Sequence, residues 1–142
     1  MAFNSREIAV AGSTAWAAII DPTTYEDWLV GARAIRDVDA AWPAPGSRFH
    51  HRVGFGPVQV PDNSEVLEVE PGVMLKLRVR ARPFLSAEAT FRVVGDDDRC
   101  AVMLQEVPVM GWVTPIVRPV MDPSIHLRNH RSLRNLSRYL ER

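Results

Sequence analysis

Between Ala34 and Pro108, apolar and polar residues alternate in short runs separated by turn residues. That period of two predicts antiparallel strands. The clearest run is 74–82, where Leu75, Leu77, Val79 and Ala81 share one face and Lys76, Arg78, Arg80 and Arg82 the other. Such a strand is half-buried, with one wet face. Ala87, Ala89, Phe91 and Val93 repeat the pattern in 86–94. Pro71-Gly72 predicts a hairpin turn between 64–70 and 74–82, and Gly95-Asp96-Asp97-Asp98 another between 86–94 and 100–107. Trp42-Pro-Ala-Pro-Gly46 separates a strand near 34–41 from one near 47–55. Gly56-Pro57 and Pro61-Asp62-Asn63 break the next stretch, so any strand between them is expected to be short or bulged.

The two ends read differently. Residues 3–10 predict a first strand. Gly12-Ser13 then offers an N-cap ahead of Trp16, Ile19 and Ile20. Asp21-Pro22 caps a second short helix carrying Tyr25, Trp28 and Leu29, which Gly31 closes. Gly111 to Pro119 holds three breakers among Trp112, Ile116 and Val117, and predicts an apolar loop or a short kinked helix. Asp122-Pro123 caps a last helix running to Arg142. At 100° per residue its Ile125, Asn129, Ser132, Leu133, Leu136 and Leu140 share a face of buried width, while Arg131, Arg134 and Arg138 lie opposite and Arg128 falls off that side. An antiparallel sheet with one long helix to cover it is an α+β arrangement.

That helical stripe is uneven. A buried polar side chain costs about 1–3 kcal/mol unless it is hydrogen-bonded. Asn129 and Ser132 therefore mark a stretch that borders a cavity or a polar network, or else they bond neighbouring backbone. The leucines beyond them predict tight packing.

Composition narrows the function classes. With 142 residues, 46% apolar and 24% charged, the chain suits one domain, 1–142, with a real core. Zero net charge argues against nucleic acid as a partner. The single cysteine, Cys100, excludes an internal disulfide and on its strand reads as a small buried hydrophobe. No apolar run is long enough to span a membrane, and Met-Ala-Phe-Asn-Ser-Arg-Glu shows no secretory signal, so a cytoplasmic location is expected. The zero conceals segregation. Residues 1–72 carry five basic and ten acidic groups, and residues 118–142 carry six and two.

Taken together, the motifs resemble the START-like (SRPBCC) helix-grip superfamily in its polyketide cyclase/dehydrase branch. The matching residues are Trp16-x-x-Ile19-x-Asp21, Tyr25-x-x-Trp28-x-x-Gly31, Trp42-Pro-Ala-Pro-Gly46-Ser-Arg-Phe49 and Arg128-Asn129-x-x-Ser132-Leu133-x-x-Leu136. They occur in the family's order along nearly the whole chain. At the first helix, where relatives often have a small residue and then proline, this chain has Gly12-Ser13-Thr14. The resemblance implies a seven-stranded antiparallel sheet around the long C-terminal helix, with a cavity for an apolar ligand between them. It does not imply a reaction, because many members only bind or carry hydrophobic molecules. Inward positions of that arrangement make Phe49, His51, Leu77, Val79, Phe91, Leu104, Glu106, Trp112, Ile125, His126 and Asn129 the expected ligand-binding residues.

Candidate chemistry is sparse. His51 shares the inward face of its strand with Phe49, Val53 and Phe55, and would serve as a general base or as a core histidine held by one hydrogen bond. Residues 100–107 read in either phase, with Glu106 or Gln105 inward, and the resemblance favours Glu106, paired with a buried Arg or His. A His51–Glu106–Asn129 cluster is thus expected in the cavity, with His51 and Glu106 the candidates for catalysis. His126 and His130 stand four apart, a spacing that suits a metal, but no third ligand accompanies them. A boundary role is expected, with His126 near the cavity, no metal and no cofactor. The arginines of 76–82 are expected to pair with Glu68 and Glu70 across the turn, and those of the last helix to meet solvent or Asp96-Asp97-Asp98. Trp112, Ile116 and Val117 form a rim at the cavity mouth or cap the core. The expected partner is a hydrophobic small molecule, lipid- or polyketide-like. The alternatives are a cyclase or dehydratase, and an interaction module, as a homodimer, acting through 110–121.

Overall fold

The computed structural model describes residues 2–32, 35, 37–55, 58–81, 85–109 and 111–142. Ala34, Gly56, Pro57 and Arg82, and the side chains of Val53, Phe55, Ala81 and Val117, lie outside the described residues.

β1 (Ala2–Ile8) leads to α1 (Gly12–Ile19), a 3-10 turn (Pro22–Thr24) and α2 (Tyr25–Trp28). Then come β2 (Arg48–Phe55), β3 (Val58–Glu70), β4 (Met74–Ala81), β5 (Leu85–Gly95) and β6 (Cys100–Pro108). A second 3-10 turn (Gly111–Val113) enters α3 (Thr114–Leu140). All strands join one antiparallel sheet in the order β1-β6-β5-β4-β3-β2, so the last strand lies beside the first. α3 packs against β1, β6 and α2.

The fold class is the expected one, with six strands among the described residues in place of seven. Among the described residues of 34–41, Val38 makes only an isolated bridge with Phe49. Two backbone bonds support it, Asp39 N to Arg48 O at 2.9 Å and His50 N to Asp37 O at 3.0 Å.

Three other expectations are corrected. First, β3 runs unbroken through Pro61-Asp62-Asn63. Arg48 and His50 turn their ladder groups towards residues 37–39, so by alternation Arg52, opposite Pro61, asks no hydrogen bond of it. Among the described residues the pairing with β4 starts at Ser64.

Second, the last helix starts at Thr114 and contains both Pro119 and Pro123, so Asp122 lies inside it and not at its N-cap. Pro115, Pro119 and Pro123 recur every four residues and all three are exposed. Pro119 and Pro123 leave the carbonyls of Pro115 and Pro119 without helical donors, and both of those residues are exposed, which limits a cost that is about 3 kcal/mol for an interior proline. Third, α1 has Ala11 at its N-cap with no side-chain bond, not Ser13. The second cap holds as read, with Asp21 Oδ1 accepting from Thr23 N at 3.0 Å.

Candidate ligand-binding site

The inward face of the sheet is continuous, but its lining is not. At one end the side chains are large and fully buried. Leu75, Leu77, Phe91, Val93, Val102 and Leu104 join Tyr25, Trp28, Phe49, Leu133 and Leu136 in one hydrophobic core. Edge-to-face aromatic contacts organise it, with ring centroids 5.4 Å apart for Tyr25–Trp28, 5.5 Å for Tyr25–Phe49, 5.9 Å for Trp28–Phe91 and 5.3 Å for Trp42–Phe49. Such pairs add about 0.5–1.5 kcal/mol each beyond area burial. Their polar tips are satisfied locally. The Tyr25 hydroxyl donates to the Ile19 carbonyl, Trp28 Nε1 to Thr24 Oγ1 at 3.0 Å, and Trp42 Nε1 to the Ile20 carbonyl at 2.8 Å. Burial, reinforced by the Asp21 charge, pushes the Tyr25 hydroxyl far above its ordinary pKa, so it remains a neutral donor.

Toward the other end the lining becomes small and polar. The register sets Ser64 beside Val79, Val79 beside Ala87, and Ala87 beside Pro108. It sets Leu77 beside Ala89, and Ala89 beside Glu106. Val79 and Ala87 lie on the same face as the buried Leu77 and Ala89, yet solvent reaches both. Two polar groups flank this stretch. On β2 and β3, His51 Nε2 shares a 3.1 Å hydrogen bond with Ser64 Oγ, and the His51 ring stands 5.6 Å from that of Phe49. On β6 and α3, the carboxylate of Glu106 pairs with Arg128 Nη2, which also lies 3.5 Å from Asn129 Oδ1. Asn4 Nδ2 donates to the His126 carbonyl at 3.2 Å and ties β1 to the same stretch of helix.

The expected His51–Glu106–Asn129 cluster is therefore drawn differently. Arg128 joins Glu106 to Asn129, while His51 stands four strands away, about 19 Å along the sheet at ordinary strand spacing. Glu106 does face inward, which resolves the phase of β6, and every second residue from Cys100 to Pro108 is buried. Phe49, Leu77, Phe91 and Leu104 belong to the packed core, and Val79 is partly buried against it. Ile125 and Asn129 are buried on α3. His126, expected near the cavity, is exposed along with His130, because the stripe that α3 buries is too narrow to include them. Trp112 stands in solvent.

Other expected pairings also shift. Among the described residues, Lys76 and Arg78 reach Glu88 at 3.8 and 3.7 Å, and Arg80 and Arg48 reach Glu65 at 3.4 and 3.0 Å, with no ion pair to Glu68 or Glu70. Asp96 does not meet the helix arginines. It accepts from the backbone N–H of Asp98 and Arg99 inside its own turn, and those bonds hold its carboxyl below the usual range. Cys100 is buried, as expected. No group of three or more His, Cys, Asp or Glu among the described residues could hold a metal ion.

Arg128, Asn4, Ser64 and the small pair Ala87 and Ala89 were not among the expected ligand-binding residues. For Arg128 a signal existed, since it alone falls off the solvent face of the helical wheel. For Ala87 and Ala89 the signal was size, since two alanines on an inward face leave space that larger residues would fill.

The sequence model of the family described as "Polyketide cyclase / dehydrase and lipid transport" matches residues 4–141, and the chain belongs to that family. Among solved structures it resembles the Zhui aromatase/cyclase from Streptomyces sp. R1128, with a TM-score of 0.76, 13% identity, and coverage of 99% of this chain and 92% of that one. It also resembles the di-domain ARO/CYC BexL from the BE-7585A biosynthetic pathway, with a TM-score of 0.78 and 12% identity over 99% of this chain, but spans only 46% of that protein. Protein NE0264 from Nitrosomonas europaea is 20% identical, with a TM-score of 0.68 and coverage of 98% and 92%. At these identities the likeness speaks for the fold. No curated protein sequence matches this one. No helix among the described residues is long and apolar enough to cross a membrane.

Proposed function

With that membership as the premise, we propose that the protein binds a hydrophobic small molecule, lipid- or polyketide-like, against the open end of the sheet's inner face, in a carrier or binding role. The observation that carries this reading is the partial exposure of Val79 and Ala87 on a face whose neighbours are fully buried. Covering such surface with an apolar ligand gains about 25 cal/mol per Å². The Glu106–Arg128 pair then orients the ligand's polar end.

Binding is favoured over turnover by how the candidate groups are engaged. A cyclisation or dehydration catalyst needs an acid or base able to exchange a proton with a ligand atom. The carboxylate of Glu106 is committed to a guanidinium, and His51 lies across the sheet from it. Native mass spectrometry after detergent-free purification tests the reading. A retained or added acyl-chain ligand is expected at one per protein. The apo mass alone, persisting after incubation with fatty acids of several lengths, would overturn it.

A further inference from the structure

The outward side of α3 changes character along its length. Trp112, in the turn that leads into the helix, is followed by Ile116, Val120 and Leu127 on one side, at exposures of 83%, 68%, 78% and 52%. Single exposed apolar residues need no explanation, but a row of four large ones does. Farther along, the same side carries His130, Arg131 and Arg138, all exposed. Between Gly111 and Leu140 there are five arginines, two histidines and a single acid, Asp122, which lies 3.8 Å from Arg118. One helix thus presents an apolar ridge that passes into a basic, almost acid-free strip, over about 40 Å at helical rise.

We propose that this side of α3 docks the protein on an anionic phospholipid surface. The ridge enters the headgroup layer, and the arginine-bearing half lies along the lipid phosphates. A helix lying in the interface has this composition, with an apolar section to bury and cations beside anionic lipid. Trp112 suits the boundary, since its ring is apolar and its indole N–H seeks a polar partner. A lipid surface fits better than a protein partner because the strip is long, outward and of one sign, matching a uniformly negative plane. The proposal does not rest on the ligand reading.

Co-sedimentation with vesicles tests it, using phosphatidylcholine alone and phosphatidylcholine mixed with phosphatidylglycerol. Binding to the mixed vesicles is expected, with weak binding to the neutral ones and release at high salt. Replacing Trp112, Ile116 and Val120 together by serine should lower binding at least tenfold with the circular dichroism spectrum unchanged. Arg131→Gln and Arg138→Gln should each lower it about fivefold. Three results would overturn the proposal. These are no preference for the mixed vesicles, unchanged binding by the folded triple variant, and a dimer in light scattering that the triple variant dissolves while vesicles bind neither form.

Discussion

On β4, Leu77 and Val79 are two residues apart, point the same way, and meet different surroundings. Leu77 is sealed between Val66 and Ala89 and belongs to the core, whereas Val79, between Ser64 and Ala87, keeps contact with solvent. The boundary between the packed and open ends of the inner face passes between them. At the packed end, Tyr25, Trp28 and Phe91 fill the space with rings, and the leucines of α3 cover them. At the open end, the helix contributes Asn129 and the sheet contributes alanines. The same strands thus serve stability at one end and recognition at the other, and residue size and polarity decide which.

The largest effects expected from breaking this comparison are on stability. Leu77→Ala or Phe91→Ala should cost about 2–5 kcal/mol in denaturant unfolding, since each leaves a cavity in a closed core. Val79→Ala, on the same face, should cost about 1 kcal/mol or less, because solvent already reaches the site. Equal costs would erase the boundary.

Ala87→Trp acts on the other property. It should fill the open end and lower affinity for an apolar fluorescent probe at least tenfold, with a cooperative unfolding transition retained. A Leu136→Ala variant that stays folded should bind the probe as the wild type does.

The phase of β4 and β5 was plain because charged or polar residues alternate with apolar ones. On β6, Ala101 and Met103 are apolar as well, so periodicity could not choose a face. The pairing with β5 and the Glu106–Arg128 contact do. The start of α3 was hidden because proline reads locally as a stop. The structure leaves Pro115, Pro119 and Pro123 all exposed, which local sequence rules do not show. Pro61 misled for a similar reason, since whether a strand needs an N–H depends on the neighbour it faces. The aromatic core was legible as residues, but its reach was not. Phe49, Phe91 and Leu104, expected to line the ligand site, also belong to the packed core.

A middle-sized effect should come from the polar edge of the open end. Arg128→Met leaves the buried Glu106 carboxylate without its cation, and should cost about 1–3 kcal/mol at neutral pH. Adding Glu106→Gln to the same chain should restore most of the loss. If the double variant is no better than the single one, the pair is not what holds this edge.

The smallest effect concerns acid. Glu141 accepts from Ala9 N at 2.9 Å and Ser137 Oγ at 3.0 Å, and the Ala9 bond foremost holds its carboxyl below the ordinary 4.5. A depressed native value contributes stability above the unfolded value, and that contribution is lost as pH falls through the native one. Glu141→Gln should therefore flatten the stability profile below about pH 4.5 and leave its neutral limb parallel to wild type. Because the site is far from the open end, ligand affinity should not change.

The most direct test of the two-ended face is an NMR titration of the backbone amides with a long-chain fatty acid. Val79, Ala87, Ala89, Glu106 and Asn129 should shift together with one saturation curve, while Leu75, Phe91 and Val93 stay in place. Shifts confined to the Leu75–Phe91–Val93 end, or no saturable shifts in the first group, would contradict the account.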